Sequence, residues 1–184
     1  MSRSDSTIFI FDIYILHLLK DMIIKILLSG DGGQGIQLIS DLLAQAAFGN
    51  GLFVSQVPNY GLEQRGGVSL SFLIISDKEI TYPRFTKPDI LLVMSEQARE
   101  RVKNYESRIK NYDIRDYGEF LAEQGIERKS YNVFFLGLVA KILEEKKILE
   151  REKVFELLEK KLSGKANWQE NKRTWDLAFK NSKF

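Results

Sequence analysis

The stretch from Ile23 to Gly35, IIKILLSGDGGQG, determines how the rest of the chain is interpreted. A run of isoleucine and leucine, predicted as the strand Ile23–Leu28, ends at four closely spaced glycines. Apolar residues at three- and four-residue steps then begin at Ile36, and such steps place their side chains on one face of a helix. Strand, glycine turn and helix form the first unit of an open parallel sheet. The sequence therefore predicts an α/β, Rossmann-like fold with a mostly parallel sheet and helices on both faces.

The glycine turn, Gly30–Gly35, has the spacing G-x-G-x-x-G at Gly30, Gly32 and Gly35. Glycine adopts positive φ at no steric cost and lets backbone N–H groups approach an anion at the helix N-terminus. A dinucleotide site would also need an acidic residue about 20 residues later, at the end of the second strand. That strand is predicted at Leu52–Val57, and no acid follows it. Ordinary NAD binding is thus disfavoured, while a structural turn and a turn that contacts an anion or a partner stay equally open.

The composition limits the classes of function. The 184 residues suffice for one domain, and 44% hydrophobic with 28% charged residues is typical of a globular protein. The near balance of 27 basic and 25 acidic side chains gives no reason to expect nucleic acid binding. Because the sequence has no cysteine, disulfides, a cysteine nucleophile and cysteine-ligated clusters are excluded. With His17 as the only histidine, structural zinc and a catalytic histidine are disfavoured, and proton transfer would fall to Glu, Asp, Tyr or Lys.

The N-terminal segment, residues 1–21, has two interpretations. Its apolar run, Ile8–Leu19, is too short and too interrupted for a membrane helix, and it lacks the cleavage site of a signal peptide. Either the natural product starts at Met22 and the segment is a leader from an upstream start, or the segment is an extra helix or strand packed on the domain. We expect a cytoplasmic protein with a single domain at 22–184.

A second glycine-marked segment, the 58–67 loop, joins two predicted strands with the sequence PNYGLEQRGG. Loops that combine aromatic, acidic and basic side chains with glycine carry many binding sites. Arg65 precedes two glycines and can hold a carboxylate or phosphate through two parallel hydrogen bonds. A salt bridge to Glu63 or to a neighbouring helix is the structural alternative. We expect this loop at the same sheet edge as the glycine turn.

The remaining pattern predicts alternating strands and helices. In order, they are the helix Ile36–Phe48, the hairpin strands Val68–Ser76 and Glu79–Tyr82, the strand Asp89–Met94, the helix Glu96–Tyr105 capped by Ser95, a short strand at Asp113–Arg115, the helix Val133–Glu145 capped by Asn132, and the amphipathic helix Glu150–Leu162. Gly137 inside a helix costs about 1 kcal/mol relative to alanine, which indicates close packing against another element. The tail at 165–184 carries aromatic residues that need burial on this domain or on a partner chain.

Four motifs occur in order along the chain: SGDGGQG at 29–35, YGLEQRGG at 60–67, IISDKEI at 74–80 and KPDILLVMS at 87–95. Together they resemble the gamma subunit, or gamma domain, of 2-oxoacid:ferredoxin oxidoreductases, from about Met22 to Glu145. Leu62 stands where that family commonly has proline, and Asp31 precedes the paired glycines. The sequence Arg-Gly-Gly from Arg65 resembles the 2-oxoglutarate or branched-chain type more than the pyruvate type.

The resemblance implies one subunit of an enzyme, inactive on its own. Such enzymes oxidatively decarboxylate a 2-oxoacid with coenzyme A to acyl-CoA, CO2 and reduced ferredoxin. The resemblance implies alpha, beta and delta subunits as partners, thiamine diphosphate with Mg between alpha and beta, and iron–sulfur clusters on beta and delta. It implies no cofactor, metal ligand or catalytic residue on this chain alone, and neither nucleic acid nor membrane as a partner. Contacts to a coenzyme A phosphate or to a neighbouring subunit are expected from Gly32, Gly33, Gln34, Gly35, Tyr60, Glu63, Arg65 and Gly66.

Two other functions compete with this interpretation. One is a free-standing Rossmann-type nucleotide-binding module that uses the G-x-G-x-x-G turn, which the missing acid disfavours. The other is a scaffolding protein that contacts no substrate. It differs from the gamma subunit only in whether changes in the loops alter turnover or merely assembly.

Overall fold

The computed structural model describes residues 21–60, 67–105 and 107–180. These residues contain five strands: β1 (Ile23–Asp31), β2 (Phe53–Tyr60), β3 (Val68–Ser76), β4 (Ile90–Val93) and β5 (Lys110–Asp113). They also contain six α-helices: α1 (Ile36–Gly49), α2 (Glu96–Val102), α3 (Ile114–Glu123), α4 (Tyr131–Glu145), α5 (Arg151–Leu162) and α6 (Trp168–Lys180). A 3-10 turn at Arg128–Ser130 precedes α4. Residues 1–20 lie outside the described residues, so both interpretations of the N-terminal segment remain predictions.

The strands form one open sheet in the order β2-β3-β1-β4-β5. β1 is parallel to β4, and β4 is parallel to β5. β3 runs antiparallel to both of its neighbours, β1 and β2, so β2 points the same way as β1. Four of the five strands therefore share one direction, and the predicted α/β fold with a mostly parallel sheet is confirmed.

The two faces of the sheet are covered unequally. Along β1, Ile26 and Leu28 point into a large apolar cluster built with α1, α3, α4, α5 and α6. Leu27 points to the opposite face, into a smaller cluster with β3, β4 and α2. Side chains alternate between the faces because the strand period is two residues, and β1 is apolar on both sides because both faces are buried. Helices on both faces are thus confirmed, with one short helix on the second face.

The predicted strand Glu79–Tyr82 is wrong. This segment has no regular structure, and its Tyr82 side chain is 72% exposed. A strand here would need a free edge of β3, but β1 occupies one edge along its whole length and β2 occupies the other from Ser69 to Ser76. The antiparallel partner of β3 along the chain is β2, so the hairpin precedes β3 instead of following it.

Other element bounds shift by a few residues. β1 extends three residues beyond the prediction, to Asp31, and α2 ends at Val102 instead of Tyr105. β2 continues past Val57 through Pro58 to Tyr60. Proline is compatible with an edge strand, where a missing N–H leaves no ladder bond unmade, so it did not end the strand as the sequence suggested.

The polar stretch after α2 contains a strand that the sequence placed incorrectly and a helix that it did not predict. The strand predicted at Asp113–Arg115 is instead Lys110–Asp113, and α3 begins directly at Ile114. Asp113 both ends the strand and caps the helix, because its side chain accepts a hydrogen bond from the Arg115 backbone N–H. Only Tyr117 and Leu121 of α3 are buried. Two buried positions among charged residues are too few to indicate a helix by periodicity.

The prediction that Asn132 caps α4 is wrong. The 3-10 turn leads directly into a helix that starts at Tyr131, so Asn132 is the second helical residue. The Asn132 Nδ2 lies against Gly35, where a Cβ would come within 2.2 Å. The asparagine therefore contacts the glycine turn, a tertiary role that its position before an apolar run does not reveal.

Among the described aromatic residues of the C-terminal part, Trp175 is buried, and Trp168 and Phe179 pack partly buried against the same core. Trp175 of α6 is 4% exposed, and its ring lies 5.5 Å from that of Phe155 and 5.1 Å from that of Phe179. Gly137 of α4 faces α6, where an added Cβ would be 2.6 Å from the Ala178 Cβ. The close packing that the glycine indicated is confirmed, and α6 is the element that packs there.

Candidate functional site

The carboxyl ends of the parallel strands bring several polar segments together. β1 ends in the glycine turn, β4 is followed by Ser95, and β5 ends at Asp113. The N-terminus of α1 opens at the same edge, directly after the turn. In open α/β sheets, ligands bind in crevices outside these carboxyl ends, so this edge is the candidate site.

The glycine turn has a backbone that only glycine adopts readily at two positions. Gly33 and Gly35 have φ of 92° and 79°, the left-handed region that side chains disfavour. The Gln34 side chain folds back over the turn, where its Oε1 accepts a hydrogen bond from the Asp31 N–H at 2.8 Å. The Gln34 N–H donates to the Asp31 carbonyl at 3.1 Å. Gln34 is therefore occupied in shaping the turn.

The turn is hydrogen-bonded to the beginning of β3. The Gly32 N–H donates to the Gly67 carbonyl at 2.9 Å. In the first turn of α1, Gln37 Nε2 donates to Ser69 Oγ and to the Leu70 carbonyl, each at 3.1 Å. Because Gly67 ends the 58–67 loop, at least this end of the loop lies beside the glycine turn, as the sequence predicted.

The predicted site residues fall into four groups. Gly32 and Gln34 have their backbone N–H groups bonded within the protein. Among the described residues, the backbone amides of Gly33 and Gly35 donate no hydrogen bond to another backbone group, as is usual at a helix N-terminus. Tyr60 ends β2 at this same edge. Glu63, Arg65 and Gly66 lie outside the described residues, so their role stays a prediction.

Two polar contacts at this edge were missed from the sequence. Ser95 caps α2 as predicted, since its Oγ accepts from the Ala98 N–H at 3.0 Å. The same hydroxyl donates to Asp31 Oδ1 at 2.6 Å. The second contact joins Arg99 of α2 to Asp113, with Arg99 Nε 2.8 Å from Oδ2 and a second bond from Nη2 to Oδ1. Both pairs join residues far apart in sequence, so no local pattern indicates them.

Electrostatics at the site centre on Asp113. Burial alone would raise the pKa of its carboxyl, but hydrogen bonds from Arg99 and Arg115 outweigh burial and lower this pKa from 3.8 to about 2. The hydrogen bond to Asp113 likewise raises the pKa of the Arg99 guanidinium. Both groups are therefore charged at neutral pH, and Asp113 is a poor proton acceptor there. Burial also raises the pKa of the Tyr112 hydroxyl, which stays protonated.

Replacing Asp113 with asparagine is expected to lower the free energy of unfolding by about 1–2 kcal/mol at pH 7. The folded-state pKa of about 2 lies below the ordinary 3.8, so the carboxylate stabilises the fold above about pH 4 and loses this effect as the pH falls through 2. Urea unfolding of both proteins should show the difference reduced by about half near pH 3. As a control, Glu100→Gln breaks an exposed pair with Lys103 and should change little. A difference that stays constant from pH 7 to pH 3 would contradict the prediction.

The described residues offer neither a metal centre nor a membrane span. No group of three or more acidic or histidine side chains within them is placed to hold a metal ion. None of their helices combines the length and apolarity needed to cross a bilayer. β2, with the sequence FVSQVPNY, also contains no acidic residue for a ribose hydroxyl, so the nucleotide-binding alternative is not favoured.

Residues 25–114 match a family model described as pyruvate ferredoxin/flavodoxin oxidoreductase. The chain carries a domain of this family. The matched segment includes the glycine turn, α2 and nearly the whole sheet, and the resemblance stated from the four motifs is confirmed.

Two curated relatives of this family domain share the same name. The 2-oxoglutarate synthase subunit KorC of Methanothermobacter marburgensis is 47% identical over 75 residues, which cover 40% of this chain and 40% of the relative. The KorC subunit of Methanocaldococcus jannaschii is 40% identical over 104 residues, which cover 55% of this chain and 51% of the relative. The chain thus spans about half the length, or less, of the curated relatives that it matches.

Two solved structures share the fold of this family domain. The gamma subunit of a keto/oxoacid ferredoxin oxidoreductase from Geobacter sulfurreducens has a TM-score of 0.60 at 23% identity, over 85% of this chain and 96% of that chain. A 2-oxoglutarate:ferredoxin oxidoreductase from Magnetococcus marinus, solved with 2-oxoglutarate, coenzyme A and succinyl-CoA, has a TM-score of 0.71 at 19% identity. That match covers 86% of this chain and 30% of the other. The domain therefore resembles both a separate subunit and part of a longer chain.

Proposed function

We propose that this chain is the gamma subunit of a multi-subunit 2-oxoacid:ferredoxin oxidoreductase, of the 2-oxoglutarate type. The enzyme would convert 2-oxoglutarate and coenzyme A to succinyl-CoA and CO2, with two electrons passing to ferredoxin. Support comes from the family domain at 25–114 and from relatives named as KorC subunits of 2-oxoglutarate synthase. The Arg-Gly-Gly sequence from Arg65 resembles the 2-oxoglutarate or branched-chain type more than the pyruvate type.

The partners of the chain would be alpha, beta and delta subunits. Thiamine diphosphate with Mg and the iron–sulfur clusters would reside on those subunits, and ferredoxin would bind through the assembled complex. A chain with no cysteine cannot supply thiolate ligands to a cluster, which agrees with this division. The complex would work in the cytoplasm.

The glycine turn supports a binding role at the coenzyme A path. It lies at the carboxyl edge and opens α1, with the amides of Gly33 and Gly35 at the positive end of the helix dipole. Gly67 places one end of the 58–67 loop beside it. We assign the contact to a coenzyme A phosphate, or to a neighbouring subunit, to Gly32, Gly33, Gln34, Gly35, Tyr60, Glu63, Arg65 and Gly66.

The chain would help to bind and orient coenzyme A or a neighbouring subunit, and it would not take part in the chemical step. At the described edge, Asp113 is held as a carboxylate by two arginines and Asp31 accepts from Ser95, so neither is placed as a general base. Backbone amides and Arg65 offer hydrogen-bond donors, which suit a phosphate or carboxylate. The chain alone should therefore be inactive, and its contribution should appear in the affinity for coenzyme A.

The first test of the proposal is affinity isolation of the chain from its host, together with the proteins bound to it, under anaerobic conditions. Co-purification with a thiamine-binding subunit and a cysteine-rich subunit, together with 2-oxoglutarate-dependent dye reduction, is the expected result. Comparison with pyruvate and branched-chain 2-oxoacids identifies the substrate. A chain recovered alone, with no 2-oxoacid activity, would overturn the proposal.

Replacing Arg65 with alanine in the assembled enzyme is expected to raise the KM for coenzyme A roughly ten-fold and to leave kcat nearly unchanged, because a bidentate charged contact is lost. Arg65→Lys should recover only part of the affinity, since lysine cannot form the planar pair. The measurement is steady-state kinetics at saturating 2-oxoglutarate. An unchanged KM for coenzyme A would remove this residue from the site.

A further inference from the structure

The short helix α2 is held at its start by a hydroxyl with two partners. Ser95 is 9% exposed. Its Oγ accepts from the Ala98 N–H at 3.0 Å and donates to Asp31 Oδ1 at 2.6 Å. The backbone preceding it is fixed as well, because the Met94 N–H donates to the Ser29 carbonyl at 2.9 Å. One side chain therefore joins the first turn of α2 to the residue from which the glycine turn departs.

The same helix is held to β5 by an ion pair. The side chains of Arg99 and Asp113 are each 15% exposed, and two hydrogen bonds join them. A partly buried bidentate pair restricts both side chains more than an exposed pair does. α2 thus bridges the carboxyl ends of β1 and β5, with β4 between them.

The body of α2 is fixed against the sheet. Ala98 is fully buried and Val102 is 2% exposed, and both belong to the apolar cluster on the second face. The glycine turn is packed unevenly: Gly35 lies against Asn132, whereas no heavy atom of the described residues comes within 4 Å of the place where a Cβ of Gly33 would stand. The Ser95–Asp31 hydrogen bond joins this packed helix to the residue at which the turn begins.

We propose that Ser95 and Asp31 are positioning residues for the glycine turn. The helix α2 is fixed to β5 by the Arg99–Asp113 pair, and through Ser95 it sets the position of the turn. In the assembled enzyme, loss of the Ser95–Asp31 hydrogen bond or of the Arg99–Asp113 pair displaces the turn. This displacement weakens coenzyme A binding without slowing the chemical step. This consequence rests on the proposed function, whereas the mechanical link concerns the chain alone.

The mechanical link is tested by hydrogen exchange on the full chain. Ser95→Ala is expected to speed exchange of the amides from Gly32 to Ile36 roughly ten-fold, because the turn loses its only side-chain link to α2 among the described residues, while β2 is unaffected. Ser95→Thr, which keeps the hydroxyl, should restore the slow exchange. Glu100→Gln, on the exposed face of the same helix, is the matched control and should change neither. Unchanged exchange in Ser95→Ala, or equal acceleration in β2, would overturn the link.

The functional consequence is tested in the assembled enzyme by kinetics with coenzyme A. Ser95→Ala and Arg99→Lys are each expected to raise the KM for coenzyme A about three- to ten-fold with kcat unchanged, and the double variant should show less than the product of the two effects. Ser95→Thr should behave as the wild type. If exchange changes but KM does not, the positioning role is overturned. If Arg65→Ala also leaves KM unchanged, the proposed coenzyme A contact of this chain has failed as well.

Discussion

Replacing Gly137 with alanine is expected to lower the free energy of unfolding by about 2–3 kcal/mol, although alanine is the better helix former. The new Cβ would lie 2.6 Å from the Ala178 Cβ and 3.5 Å from the Trp175 carbonyl oxygen. Neither atom can rotate away, because one is a methyl attached to the backbone and the other belongs to the backbone. α4 and α6 would have to separate, which loosens the burial of Trp175. Urea unfolding followed by tryptophan fluorescence measures the loss.

The matched control is Gly118→Ala in α3. There the nearest atom to an added Cβ is Ile114 Cγ1, at 3.9 Å, an ordinary contact. The free energy of unfolding of this variant should rise by about 0.5–1 kcal/mol, because alanine has the higher helix propensity. If both alanine variants were stabilised to the same degree, the close contact between α4 and α6 would be disproved.

Replacing Gly35 with alanine is expected to lower the free energy of unfolding by about 2 kcal/mol and to distort the glycine turn. Gly35 has φ of 79°, and its Cβ would meet Asn132 Nδ2 at 2.2 Å and Cγ at 3.0 Å. Asn132 would have to turn away, and its Oδ1 would lose the bond from the Val133 N–H. Thermal unfolding of the chain and the KM for coenzyme A of the assembled enzyme should both change.

Gly33→Ala separates backbone strain from the steric clash. Gly33 has φ of 92°, but no heavy atom of the described residues lies within 4 Å of its Cβ position, so only backbone strain of about 1 kcal/mol is expected. Gly35→Ala should therefore be the more destabilised of the two. Equal losses in the free energy of unfolding would mean that the Asn132 side chain can move away from the new Cβ without destabilising the fold.

Much of the fold followed from the sequence because its signals are local. The apolar run at β1, the glycine turn and the helical steps of α1 lie within 30 residues, and each obeys a periodicity set by backbone geometry. The cap by Ser95 is equally local. The hairpin strand at Glu79–Tyr82 failed because a strand also needs a free neighbour, and the sequence does not state which edges of β3 are already occupied.

The candidate site was predicted only in part, for the same reason. The glycine turn and the 58–67 loop have compositions that indicate their place. Asp31 and Ser95 are 64 positions apart, and Asn132 contacts Gly35 from a helix nearly a hundred residues later. Such contacts arise only once the sheet order is set, because it decides which chain segments meet at the carboxyl edge.

The place of β1 in the sheet has a consequence for biosynthesis. β1 is the first described strand to leave the ribosome, yet its neighbours are β3 and β4, and Ile23 pairs with Ser76 roughly 50 positions later. At ordinary elongation rates the nascent strand waits on the order of several seconds for these partners. During this time an apolar segment that is buried on both faces in the native sheet is open to solvent and to other chains. Chains stalled before Ser76 would therefore be substrates for chaperones, and translation speed across the first hundred codons would affect the yield of folded protein.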